Sequence, residues 1–74
     1  NQVYFANNQI TFNINENEAI TAFVYDLTGK ILLEKKLSNG NNQSLNFSSP
    51  AKGFYFLKVL NSKGQSDIAK FIAN

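Results

Sequence analysis

Histidine, cysteine, methionine, tryptophan and arginine are all missing from these 74 residues. Each absence removes a class of function. Without histidine the usual general base beside a serine, threonine or cysteine nucleophile is gone, so hydrolytic triads are excluded. A lysine acting as base would need deep burial to lower its pKa, which a small core supplies poorly. Without cysteine there are neither disulfides nor thiolate metal sites, and the compartment is not betrayed by redox chemistry. Without tryptophan a carbohydrate-stacking platform is disfavoured. The basic charge is carried by lysine alone, spread from Lys30 to Lys70, with a net charge of only +2. Nucleic-acid binders concentrate arginine and lysine on one face, so nucleic acid is not expected as a partner. No apolar run approaches the roughly 20 residues of a membrane helix, and the start has neither the methionine nor the basic character of a signal peptide.

What remains is rich in asparagine, with twelve, and in aromatics, with seven phenylalanines and three tyrosines. A chain this short buries only roughly 60% of the surface it exposes when unfolded, so the core must be thin. The aromatic content is nevertheless that of a folded domain, and the aromatics are expected to be spent on the core, where each can bury about 150–250 Å².

Short β-branched and aromatic runs are separated by Gly, Asn, Ser or Pro, and no window keeps a helical period. Strands are expected at about 3–5, 9–14, 20–26, 31–37, 43–47, 54–60 and 65–72. Gly29, Gly40, Gly53 and Gly64 each lie between apolar segments, where glycine takes positive φ without steric cost. Leu27-Thr28-Gly29 and Ser62-Lys63-Gly64 have the form of a type I turn closed by a left-handed glycine, which predicts two tight antiparallel hairpins. Along 54–60 both alternating rows are apolar, so that strand is expected at the centre of a sheet. Along 31–37, Ile31, Leu33 and Leu37 are assigned to the inner face, Lys35 interrupts that row, and Glu34 and Lys36 face water. The fold class is all-β, one domain spanning 1–74.

Chemistry-bearing clusters are sparse. Glu16 and Glu18 flank Asn17, but the segment lacks the turn glycine and ligand run of a calcium loop, and a solvated turn accounts for it. No Gly-x-Gly phosphate loop occurs. No cofactor or metal is expected, and no catalytic residue is assigned.

Three elements in order do carry information. Tyr25, Asp26, Gly29 and Lys30 form a Tyr-Asp-x-x-Gly-Lys turn. Lys52, Gly53 and Tyr55 form a Lys-Gly-x-Tyr start to an apolar strand that also bears Lys58 and Val59. Lys70, Phe71 and Ile72 form a basic-aliphatic close. Over about residues 20–72 this resembles the C-terminal sorting domains of proteins exported by the type IX secretion system of Bacteroidota. The Tyr-Pro-Asn-Pro-like segment with which members begin is not found here.

The resemblance implies a seven-stranded, antiparallel, immunoglobulin-like β-sandwich. It also implies a non-catalytic signal at the tail of a larger secreted protein, with the cargo N-terminal in the same chain. Export would run through the periplasm to the cell surface or medium. The implied partners are the outer-membrane translocon and a sortase-like peptidase that removes the domain. Asp26, Gly29, Lys30, Lys52, Gly53, Tyr55, Lys58, Lys70, Phe71 and Ile72 are the candidate recognition and turn residues. Among them Gly29 and Gly53 are assigned to backbone conformation, and Tyr55 to the core with its hydroxyl reaching a turn. The terminal strand is the foremost candidate for contact, including edge pairing with another chain. The competing expectation is an immunoglobulin-like or fibronectin-like spacer or binding module of an extracellular enzyme or adhesin.

Overall fold

The alternating runs become seven strands: β1 (Gln2–Ala6), β2 (Gln9–Asn13), β3 (Ile20–Tyr25), β4 (Ile31–Leu37), β5 (Gln43–Asn46), β6 (Gly53–Asn61) and β7 (Ser66–Ala73). They are seen in a computed structural model that describes residues 2–74 and has no helix among them. Two antiparallel sheets form, ordered β1-β2-β5 and β4-β3-β6-β7, and they face each other as an immunoglobulin-like sandwich. β6 is internal to the larger sheet, as its two apolar rows predict.

Turn chemistry sets the register. Asp26 and Asn61 play one role in two hairpins. In the first, the Gly29 amide donates to the Asp26 carbonyl (3.1 Å) and the Asp26 amide to the Lys30 carbonyl (3.0 Å). In the second, the Gly64 amide donates to Asn61 (3.2 Å) and the Asn61 amide to Gln65 (2.9 Å). Gly29 and Gly64 have φ of 90° and 82°, the left-handed position that closes a three-residue loop. The β1–β2 hairpin instead turns on Asn7 and Asn8, whose φ values of 53° and 58° make the two-residue turn suited to strand twist. Part of the asparagine content therefore does conformational work that glycine does elsewhere.

Two expectations are corrected here. Register shifts between Val24 and Tyr25, so that Val24 pairs with Leu33 but Tyr25 with Ile31, leaving Leu32 as the extra residue of a bulge. Strict alternation fails across an inserted residue. Ile31 is thereby turned out to solvent, and Leu32 packs against the core in its place beside Leu33 and Leu37. Gly40 does not have positive φ. It is buried, and a Cβ there would collide with Ile14, whose Cδ1 would lie at 2.8 Å. Its own bonds, Ile14 amide to Gly40 carbonyl (2.9 Å) and Gly40 amide to Glu16 carbonyl (2.7 Å), draw the two segments together.

The core lies between the sheets. Ile10, Phe12 and Leu45 from the smaller sheet meet Ile20, Ala22, Val24, Leu57 and Val59 from the larger. At one end four rings close the interior: Phe71 stacks between Phe5 (6.0 Å) and Tyr55 (5.9 Å), and Phe47 meets all three edge-on. Such pairs add roughly 0.5–1.5 kcal/mol each beyond the area they bury. This cluster also ties the first strand to the last, since Phe5 is on β1 and Phe71 on β7.

Candidate recognition surface

The topology brings the three sequence elements to the same end of the larger sheet. Tyr25 at the end of β3 is opposite Phe56, which is opposite Lys70; Phe54 is opposite Ile72, and Gly53 opposite Ala73. The Asp26–Lys30 turn continues β3 at that end, and Lys52 precedes β6 there. Lys58 sits nearer the middle, opposite Phe23 and Ile68.

Pleating then divides these residues. Tyr55 and Phe71 point inward and are buried, whereas Lys58, Lys70 and Ile72 alternate to the outside. Tyr55 anchors the loop before its own strand: its hydroxyl donates to the Ala51 carbonyl at 2.6 Å and accepts from the Ala51 amide at 3.2 Å. Gly53, with φ of 141°, has a conformation closed to other residues without strain. Asp26 holds its turn through one oxygen, Oδ1, which accepts from the Thr28 hydroxyl (2.6 Å), the Thr28 amide (2.9 Å) and the Lys30 amide (3.0 Å). These bonds keep its carboxyl below the ordinary value of 3.8, the Thr28 hydroxyl contributing most and the Lys30 amide next, against an opposing effect of desolvation. Asp26, Gly29, Gly53, Tyr55 and Phe71 are thus structural. Lys30, Lys52 and Lys70 are exposed, Lys58 is half-buried, and Ile72 is 48% exposed.

The outer face of the larger sheet holds more than the sequence motifs indicate. Its rows run Lys36–Thr21–Leu60–Ser66, Glu34–Phe23–Lys58–Ile68, Ile31–Tyr25–Phe56–Lys70 and Phe54–Ile72. Phe54 and Ile68 are 46% and 64% exposed, and the Lys70 ammonium lies 4.9 Å from the centre of the Phe54 ring. Phe23 and Tyr25 lie side by side, 6.2 Å apart. The expectation that the aromatics serve the core is therefore corrected: Phe23, Tyr25, Phe54 and Phe56 face away from it, and Tyr4 is exposed on the opposite sheet. The signal for this was present in the apolar outer row of β6, which placed that strand centrally but left its outer row uncovered.

Ser49 and Lys52 have a Ser-x-x-Lys spacing, and Lys52 is exposed in an irregular segment. Glu18 accepts from the Ser62 hydroxyl (2.8 Å) and the Asn17 side chain from Asn41 Nδ2 (2.8 Å), so the acidic loop is tied to neighbouring turns.

A sequence profile described as the secretion system C-terminal sorting domain matches residues 6–74, nearly the whole chain. The chain belongs to this family. No curated protein and no solved structure matches it. As a C-terminal sorting domain of type IX secretion, it marks a protein for export to the cell surface or the extracellular medium. Sorting domains of this family are in general not catalytic.

Proposed function

We propose that this sorting domain is a passive folded address, carried C-terminal to a cargo and read in the periplasm by the outer-membrane type IX translocon. A sortase-like peptidase then separates it from the cargo. The observation that carries this reading is the family match over residues 6–74. The division of the motif residues supports it. Asp26, Gly29, Gly53, Tyr55 and Phe71 fix turns and core, so that Lys30, Lys52, Lys58, Lys70 and Ile72 are displayed in a set arrangement on one end and one face. A rigid display limits the entropy lost when a receptor binds.

The test is export of a periplasmic reporter bearing the 74 residues at its C-terminus, compared between a host with an intact type IX system and a translocon-deficient strain. Reporter at the surface or in the medium of the intact host only is the expected result. Retention in the periplasm of both would remove the sorting function.

A further inference from the structure

The two outer faces of this sandwich differ. On the smaller sheet the outward positions include Gln9, Thr11, Ser44 and Asn46, which answer one another across strands: Gln9 Nε2 donates to Asn46 (3.2 Å), and the Thr11 and Ser44 hydroxyls are 3.3 Å apart. Apart from the exposed Tyr4 and Ala6, the described outward positions of that face are polar, and none of them carries a formal charge. On the larger sheet the outward positions carry a ladder of Phe23, Tyr25, Phe54, Phe56, Leu60 and Ile68, continued by Ile31 and Ile72 at its margins. An antiparallel sheet with one solvated face ordinarily alternates apolar inside with polar outside. A continuous exposed apolar face is the mark of an interaction surface. Solubility does not explain it, since the smaller sheet shows how this same chain makes a solvated face.

The charge on this face points to what covers it. Lys36, Lys58 and Lys70 stand among the apolar groups and only Glu34 opposes them. Lys58 is half-buried between Phe23 and Ile68 and, among the described residues, has no ion-pair partner. Lys70 is held down on the Phe54 ring. A partner carrying carboxylates set among aliphatic or aromatic groups would pair these cations while covering the rings. A second copy of the chain would not: stacking the face on itself would confront three lysines with three more and supply one glutamate from each side.

We propose that the outer face of β4-β3-β6-β7 is the docking surface of this domain, and that its occupant is an acidic, apolar surface on a protein of the type IX export machinery. The inference rests on the sorting function and adds the face and the chemistry of the partner. Lys58 and Lys70 meet carboxylates, and Phe54 and Ile68 supply the buried area.

The experiment uses the full 74 residues on the exported reporter. Three double variants are compared with the parent in the intact host: Phe54→Ser with Ile68→Ser, Lys58→Glu with Lys70→Glu, and, on the polar face, Gln9→Ser with Thr11→Ser. Loss of two central contacts should lower export by about tenfold or more in each of the first two, with the third exporting as the parent. Lys58→Arg with Lys70→Arg should retain most export. The purified charge-reversed chain, whose changed side chains project away from the core, should unfold at the parental temperature. Parental export by both face variants, with the parent still translocon-dependent, would overturn the docking face and leave the sorting function intact. Parental export by the charge reversal alone would overturn the acidic partner. A parent retained in both hosts would remove the sorting function and this inference with it. A purified chain that sediments as a dimer dissociated by Phe54→Ser, or that binds anionic phospholipid vesicles through Lys58 and Lys70, would overturn the assigned occupant.

Discussion

Tyr55 and Ala51 are bonded in both directions: the phenol donates to the alanine carbonyl at 2.6 Å and receives the alanine amide at 3.2 Å. One buried side chain thereby satisfies both backbone groups of a residue four positions earlier and fixes the approach to β6, the strand that carries Phe54, Phe56, Lys58 and Leu60 of the proposed docking face. Tyr55→Phe keeps the ring stack with Phe71 but loses both bonds. It should lower unfolding free energy by about 1 kcal/mol, read from urea denaturation, with Tyr55→Ala costing about 3–5 kcal/mol through the cavity left in the ring cluster. Equal losses for the two would mean that the hydroxyl carries the anchor and the ring does not.

The Asp26 turn should respond to acid. Its carboxyl has a folded pKa below the ordinary value, chiefly through the Thr28 hydroxyl and the Lys30 amide. A depressed carboxylate contributes stability that is fully present above its unfolded pKa, near 3.8, and is lost as pH falls through the lower folded value. Hydrogen exchange at the Thr28 and Lys30 amides should therefore keep its protection above about pH 3.8 and lose it progressively as pH falls from there through the folded value. Asp26→Asn should hold the turn near neutral pH, because Asn61 Oδ1 already takes the Lys63 (3.0 Å) and Gln65 (2.9 Å) amides in the equivalent hairpin. Asp26→Ala should open it.

Gly40 and Ile14 should be coupled. Gly40→Ala drives a methyl group into the Ile14 side chain and is expected to cost about 1–3 kcal/mol. In an Ile14→Ala background the same change should cost measurably less, since the space has been vacated. A double-mutant cycle by thermal denaturation measures the difference, and strict additivity would show that backbone conformation rather than contact sets the requirement.

Lys35 belongs to the inner row of the edge strand β4, opposite the buried Ala22. An inward charge and a bulge are two ways of blunting a sheet edge against another chain. Lys35→Val leaves the bulge in place and should make the domain associate at concentrations where the parent is monomeric, as read by light scattering. Unchanged monodispersity would assign the protection to the bulge and to Glu34 and Lys36.

Strand positions and the central place of β6 were legible because alternation and turn residues are local signals. The two glycine-closed hairpins were legible for the same reason. Ile31 was assigned inward because period-two reasoning carries no information about an inserted residue, and Leu32 takes the core position. Gly40 shows a second limit: its requirement comes from Ile14, far away in sequence, and no turn pattern encodes a distant contact. The structural roles of Gly29, Gly53 and Tyr55 were legible from turn and sandwich chemistry, whereas the meeting of the three motifs at one end of the larger sheet is a product of strand order that no local pattern encodes. The neighbouring aromatics of the outer face belong to no motif and became a surface only when β3, β6 and β7 were set side by side.

The ring stack of Phe5, Phe71 and Tyr55 joins β1 to β7, the first strand and the last. During synthesis β1 emerges from the ribosome well before the strand whose ring it needs, and closing such distant contacts is the slow part of forming a β-fold. A chain interrupted before Phe71 has no means of closing this cluster. The finished domain thus also depends on translation having run through this last strand.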